Sequence, residues 1–195
     1  SLIATVIGTL VGAVAGLLGG IVDATLMRFV DILLSLPLLF VILIIADRYN
    51  SATVISLSLI IGTFSWLVSA RLVRGEVLSL RVRDFVLASR TMGATKRHLI
   101  YKHLIPNAIG VVIVNITFQV ADAINLLAIL GFLGFGLSYP QASWGDMLSG
   151  ALDSLQDGYW WLVYPVGACL VAVVMACNFV GDALRDSFDV RLRRR

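Results

Sequence analysis

IPNAIGVVIVNITFQVADAINLLAIL, residues 105–130, holds no lysine or arginine and a single acid, Asp122. About 20 apolar residues coiled as a helix cross a hydrocarbon layer of about 30 Å, so this stretch is long enough to span a bilayer. In lipid the backbone must satisfy its own hydrogen bonds, and the run is too long and too little alternating for a barrel strand, so it reads as a helix. The rest of the chain agrees. Of 195 residues, 59% are hydrophobic and 14% charged, and mean hydropathy is +0.94, whereas soluble domains are about half apolar and a quarter charged. The reading is an all-α polytopic membrane protein with five transmembrane helices, at 2–22, 29–46, 52–70, 105–130 and 161–181.

Charge placement sets the orientation. Of the 15 lysines and arginines, eight lie between Arg71 and Lys102 and five between Arg185 and Arg195, which predicts cytoplasmic locations for both segments and for the C-terminus. The segment 138–160 holds Asp146, Asp153 and Asp157 and no basic residue, and is expected to be extracytoplasmic. Counting back through the spans puts Ser1 outside. A start there with serine and no leader implies at least one span upstream, so residues 1–195 read as the core domain of a longer subunit.

Within the spans, Gly8, Gly12, Gly16 and Gly20 fall on every fourth position, a helix face stripped of Cβ that invites close packing, static or sliding. Pro37 inside the second span predicts a kink. On the fourth span Asn115, Gln119 and Asp122 share a face, with Asn125 nearby. Such a stripe either lines a translocation path, with Asp122 near its outer end, or makes hydrogen bonds between helices with an interfacial Asp that is simply wet. Cys169 and Cys177, eight apart on one helix, cannot bridge each other and read as small packing residues. Phosphate-loop, zinc-hydrolase and serine-nucleophile motifs are missing, and His98 and His103 are poorly spaced as ligands, so neither covalent catalysis nor a metal is expected. The net charge of +3 reflects the cytoplasmic bias and argues for no nucleic acid.

The connection before residue 105, TMGATKRHLIYKHLIPNA at 91–108, is too basic and too patterned for a simple turn. It reads as the second part of a helix–turn–helix hairpin, 85–106. Phe85, Val86 and Met92 share an apolar side of the first helix, Gly93 stops it, and Thr95 caps the second. That second helix sets Lys96, Arg97 and Lys102 against Leu99, Ile100 and Leu104. A docking surface and a helix lying on anionic lipid both fit these charges.

FVLASRTMGATKRHLIYKHLIPNA resembles the E-A-A-x-x-x-G loop of ATP-binding-cassette importer permeases. VDATLMRFVDILLSLPLL, SARLVRGEVLSL, GFLGFGLSYPQASWGDML and NFVGDALRDSFDVRLRR resemble the dipeptide, oligopeptide and nickel group, specifically its second, C-type permease. The resemblance covers essentially the whole chain and implies the type I importer permease core with a cytoplasmic coupling helix pair. Ala88, Ser89 and Gly93 match the family's Ala, Ala and Gly, and Pro106 its closing proline, while the family's Glu falls on Leu87. The coupling surface implied is Ala88, Ser89, Arg90, Thr91, Met92, Gly93, Ala94, Thr95, Lys96 and Arg97, closed by Pro106. Leu127 stands where relatives often carry an acid, so either Asp122 or Asn125 fills that place or the contact is absent.

The resemblance implies alternating access in a bacterial plasma membrane. The chain would form half of a peptide pathway with a second permease subunit as a heterodimer, driven by two ATPase subunits. ATP and magnesium would be held by the ATPases and no cofactor by this chain. An extracytoplasmic substrate-binding protein would deliver cargo near 138–160, where Trp144, Tyr159, Trp160 and Trp161 otherwise suit a membrane-interface belt. Nickel or oligosaccharide importers are the alternatives within the group. A gradient-driven carrier would need charged pairs inside several spans, and a scaffold subunit would have a wholly apolar fourth span.

Overall fold

A computed structural model describes residues 1–48, 53–137 and 140–193, and among them every regular element is helical. The helices are α1 (Leu2–Leu18), α2 (Gly20–Ser35), α3 (Leu38–Arg48), α4 (Val54–Leu80), α5 (Asp84–Thr91), α6 (Lys96–His98), α7 (Ile105–Phe132), α8 (Trp144–Gln156) and α9 (Tyr164–Arg193). A π-helical turn, Leu99–Leu104, joins α6 to α7, and a 3₁₀ turn, Trp160–Leu162, precedes α9. The beginnings of the expected third span at residue 52 and of the expected outer segment at residue 138 lie outside the described residues, as do the side chains of Asp153 and of residues 189–193.

Among the described residues three continuous helical stretches are long and apolar enough to cross a membrane: Val54–Leu80, Lys96–Phe132 and Trp160–Phe188. The α2–α3 pair makes a fourth candidate, and α1 is a shorter apolar helix of 17 residues. The expected span bounds need three corrections. The first helix stops at Leu18, four residues before the expected end. The expected second span is two helices: Pro37 has no N–H to donate and forces Leu36 into extended geometry (φ −75°, ψ 137°), so the chain leaves the helix at Ser35 and restarts at Leu38. A third correction concerns α4, which does not stop at residue 70 but runs to Leu80. Its last turns are amphipathic, with Val73, Val77 and Leu80 buried and Arg71 and Arg74 paired to aspartates.

The chain divides into two compact units. One comprises Ser1–Leu36, Phe64–Ile116 and the chain from Asp182 onward. Its larger core gathers Ala13 of α1, Val73, Val77 and Leu80 of α4, Val86 of α5, Leu99, Ile100 and Leu104 of the π turn, and Ala108 and Val112 of α7. A second core joins Ala15, Met27, Val30 and Leu67. The α1–α4 packing is close because α1 offers glycines. A Cβ at Gly8 would lie 2.5 Å from Ser69 Cβ, one at Gly12 would strike the carbonyl of Ala70, and one at Gly16 would lie 2.8 Å from Val77 Cγ1. Gly20 departs from the expected stripe. It begins α2 with φ +56° and has nothing within 4 Å of its missing Cβ, so it belongs to the α1–α2 elbow with Gly19 and not to the packing face. Near the chain's end, Gly110 of α7 accommodates Phe188, whose Cβ would sit 3.1 Å from an added Cβ.

The other unit comprises Pro37–Thr63 and Thr117–Gly181. Here the start of α8 is seated on the end of α7 through glycines: a Cβ at Gly145 would strike the carbonyl of Ala128 and lie 2.8 Å from Gly131 Cα. Ser143 caps α8 by accepting from the Asp146 amide at 3.2 Å, and its hydroxyl donates to Asp146 Oδ2 at 2.5 Å. Gly136 leaves room for that carboxylate, whose Oδ1 lies 2.5 Å from where its Cβ would be. An apolar cavity of about 370 Å³ lies beside this junction, bordered by Leu57, Leu127 and Trp144. Leu127 thus lines an apolar space, where an unpaired acid would be costly.

Candidate coupling site and polar helix face

The hairpin is organised by local chemistry at its turn. Helix α5 ends at Thr91, and the next residues close it in a double hydrogen bond: Gly93 N–H to the Arg90 carbonyl and Ala94 N–H to the Ser89 carbonyl, both 3.1 Å. This is a Schellman closure, which needs a left-handed residue, and Gly93 supplies it at φ +85°. Thr95 then caps α6, its hydroxyl oxygen accepting from the His98 amide at 3.3 Å. Asp84 in the first turn of α5 and Arg90 in its last both complement the helix dipole.

Of the two faces, the inner one locks the hairpin to the core. Val86 and Ser89, three apart on α5, are buried, as are Leu99, Ile100 and Leu104 on the second arm. Ser89 Oγ and His103 Nε2 share a hydrogen bond of 3.2 Å, and the His103 ring lies 6.2 Å from that of Phe85 and 5.7 Å from that of His98. Ser89 is thus turned inward, away from the expected docking face. Met92 is the reverse: it was expected on the apolar side with Val86, but it is 81% exposed. It is the cap residue that leads into Gly93, so it leaves the helical face before it can join Val86.

The outer face presents Ala88, Arg90, Thr91, Met92, Gly93, Thr95, Lys96 and Arg97 as exposed residues, with Ala94 half-buried. Arg97 lies over the Tyr101 ring at 5.9 Å. Thr95, Arg97, His98, Tyr101 and Lys102 border an open basic concavity. No break separates this second arm from the following span. The π turn carries it through, with Ile105 N–H bonded to the Ile100 carbonyl, and the Asn107 side chain donates to the His103 carbonyl at 2.5 Å. Pro106, exposed in the first turn of α7, lacks an N–H, and the wider π turn spares the ladder a forced i to i−4 bond there.

The four polar residues of α7 part company. Asn115 is buried and accepts a hydrogen bond of 2.6 Å from Ser69 Oγ of α4. Gln119 is also buried, Asn125 is half-buried, and Asp122 is exposed. Two ion pairs were not foreseen, Arg74 with Asp23 and Arg71 with Asp31. The spacing of Asp23 and Asp31 on one helix and of Arg71, Arg74 and Arg81 on another was their available signal. Among the described residues no group of three or more His, Cys, Asp or Glu side chains is arranged to hold a metal ion.

Known proteins bear on this arrangement. A protein of Brucella ovis named as a peptide permease is 45% identical over 171 residues, 87% of this chain and 56% of that protein. The oligopeptide transport system permease protein OppC of Bacillus subtilis is 40% identical over 174 residues, and that of Escherichia coli K12 37% over 172, each covering 88% of this chain and 56% of the relative. The chain thus spans a little over half the length of these relatives. Residues 8–194 match the family of binding-protein-dependent transport system inner membrane components, and to that family the chain belongs.

Proposed function

We propose that this chain is the core of the transmembrane subunit of an ATP-driven importer and forms half of a pathway for peptides. Its companions in this reading are a second permease subunit, two ATPase subunits that bind ATP and magnesium, and an extracytoplasmic substrate-binding protein. The C-terminus and the hairpin are cytoplasmic, in a bacterial plasma membrane. The observation that carries the reading is the hairpin's division of labour. Val86, Leu99, Ile100 and Leu104 bury one face in the core, while Ala88, Arg90, Met92 and Arg97 stay exposed on the other. A rigid element with one face locked in the core and the other left exposed is what a coupling device requires. The peptide cargo rests on the names of the relatives.

In the same reading Asp122 and Asn125 are the pathway residues of α7, while Asn115 and Gln119 support them from buried positions. The test of coupling is a crosslink from Ala94→Cys in the full-length subunit in native membranes, with mass spectrometry of the captured protein. Recovery of an ATPase bearing a phosphate loop is expected. Capture of nothing by a folded, assembled subunit overturns the reading in favour of a gradient-driven carrier.

A further inference from the structure

The charges that the hairpin does not use converge on the elbow between α1 and α2. Arg74 of α4 grips Asp23 with two parallel bonds, Nε to Oδ1 at 2.5 Å and Nη2 to Oδ2 at 2.7 Å. Arg71, one turn earlier, reaches Asp31 with Nη2 to Oδ1 at 2.5 Å. Arg81, two turns later, donates from Nη1 to the carbonyl of Gly16 at 3.0 Å. Gly16 lies in the last turn of α1, whose final carbonyls lack helical partners, and Asp23 lies near the start of α2, where a carboxylate favours the helix dipole. The contacts of Arg81 and of Asp23 are therefore each made at the helix end that suits the charge.

These contacts differ in weight. Arg71 and Asp31 are 55% and 49% exposed, an arrangement that holds little. Arg74 and Asp23 are 30% and 14% exposed and bidentate, which fixes orientation as well as distance. The elbow they hold is built from Gly19 and Gly20, both at positive φ and both lacking a side chain to pack. On the same turns of α4, Val73, Val77 and Leu80 enter the core that contains Val86 of α5 and the π turn. One stretch of helix therefore faces the elbow with arginines and the hairpin with valines and a leucine.

We propose that Arg74 is a positioning residue that ties the α1–α2 elbow to the coupling hairpin, so that the two move as one piece when a partner displaces the hairpin. The proposal rests on the importer reading above. Its test uses the full-length subunit assembled with its partners in liposomes, with Cys169 and Cys177 replaced by alanine and spin labels on Ile21→Cys and Leu87→Cys. Ile21 is 85% exposed on the elbow, and Leu87 is 44% exposed on α5, outside the proposed docking face. The distance between labels is read by pulsed electron resonance with and without ATP and magnesium.

A distance constant to within about 2 Å between the two states is expected. In Arg74→Ala the distance broadens or shifts, ATP consumed per cargo imported rises about tenfold, and Arg74→Lys restores part of both. A wild-type distance that changes by about 5 Å, one helical turn, in an ATP-hydrolysing complex overturns the proposal alone. So does an Arg74→Ala complex that matches wild type in both readings. A wild-type complex without ATPase activity overturns the importer reading and this proposal with it. The wild-type distance decides the matter even if Arg74→Ala does not assemble.

Discussion

Gly12→Ala tests the physical basis of the α1–α4 interface. The added methyl would strike the carbonyl oxygen of Ala70 and come within 2.9 Å of the Arg74 amide and 3.0 Å of Val73 Cβ. Two of these three obstacles are backbone, which cannot rotate aside. Carbon contacts rest near 3.5–4.0 Å, so the helices must part locally by roughly 0.5–1 Å, a gap that forfeits a quarter to a half of each contact's attraction. In lipid, packing is most of what joins two helices, so the loss has little to offset it. Overpacking of this kind costs about 1–3 kcal/mol. Against it stands the better helix propensity of alanine, about 1 kcal/mol. Gly75→Ala, on α4 with nothing within 4 Å of its Cβ, carries that gain without the clash, so the difference between the two variants isolates the packing cost. Thermal melting of the full-length subunit in nanodiscs, followed by tryptophan fluorescence, should place Gly12→Ala about 2–12 °C below Gly75→Ala. Equal or inverted melting temperatures would refute the interface.

At the hairpin, Gly93→Ala meets open space but is strained at φ +85°. A cost of about 1–2 kcal/mol should raise amide exchange of the closing Gly93 and Ala94 bonds roughly 5–30-fold by mass spectrometry. Ser89→Ala removes the 3.2 Å bond to His103 and should cost about 0.5–1.5 kcal/mol, seen as faster exchange along α5 with that of α8 unchanged. Gly145→Ala drives a methyl into the Ala128 carbonyl; a loss of about 1–3 kcal/mol in the same melting assay is expected. Asp122→Asn combined with Gln119→Ala should lower uptake by the proposed importer, and unchanged uptake by an assembled complex removes Asp122 from the pathway and Gln119 from its support.

How much of this was legible follows from the range of the forces involved. The hairpin turn was readable because its chemistry is local: a glycine that accepts positive φ and a threonine oxygen three residues from its donor act within six residues of chain. Helix ends governed by distant partners were not. Residues 71–80 look like a charged connection, yet they form the end of α4, because Asp23 and Asp31 neutralise Arg74 and Arg71 from 51 and 40 positions away. Gly20 continues the four-residue spacing of Gly8, Gly12 and Gly16 on paper, but Gly19 has already turned the backbone at φ +63°. A period holds only while the helix does. For the same reason Met92, one residue beyond the helix, could not share a face with Val86.

The polar stripe of α7 marks the limit of periodicity more sharply. Spacing of four and three residues puts Asn115, Gln119 and Asp122 on one side of a helix but does not say what stands opposite each of them. A serine on α4 meets Asn115 at 2.6 Å, and burial of both residues makes that bond worth more than a wet one. Asp122, seven residues on, is exposed. The readings of the stripe, an inter-helix bond, a path and a wet interfacial acid, therefore need not apply to the whole face alike. The face differs along its length, with the Asn115 amide bonded to α4 at one end and the Asp122 carboxylate exposed at the other. A charge is costly in hydrocarbon unless it meets water or a partner. In the proposed importer, the exposed end of the stripe is where substitution should alter transport before it alters stability, and unchanged transport in Asp122→Asn would make it a wet interfacial acid.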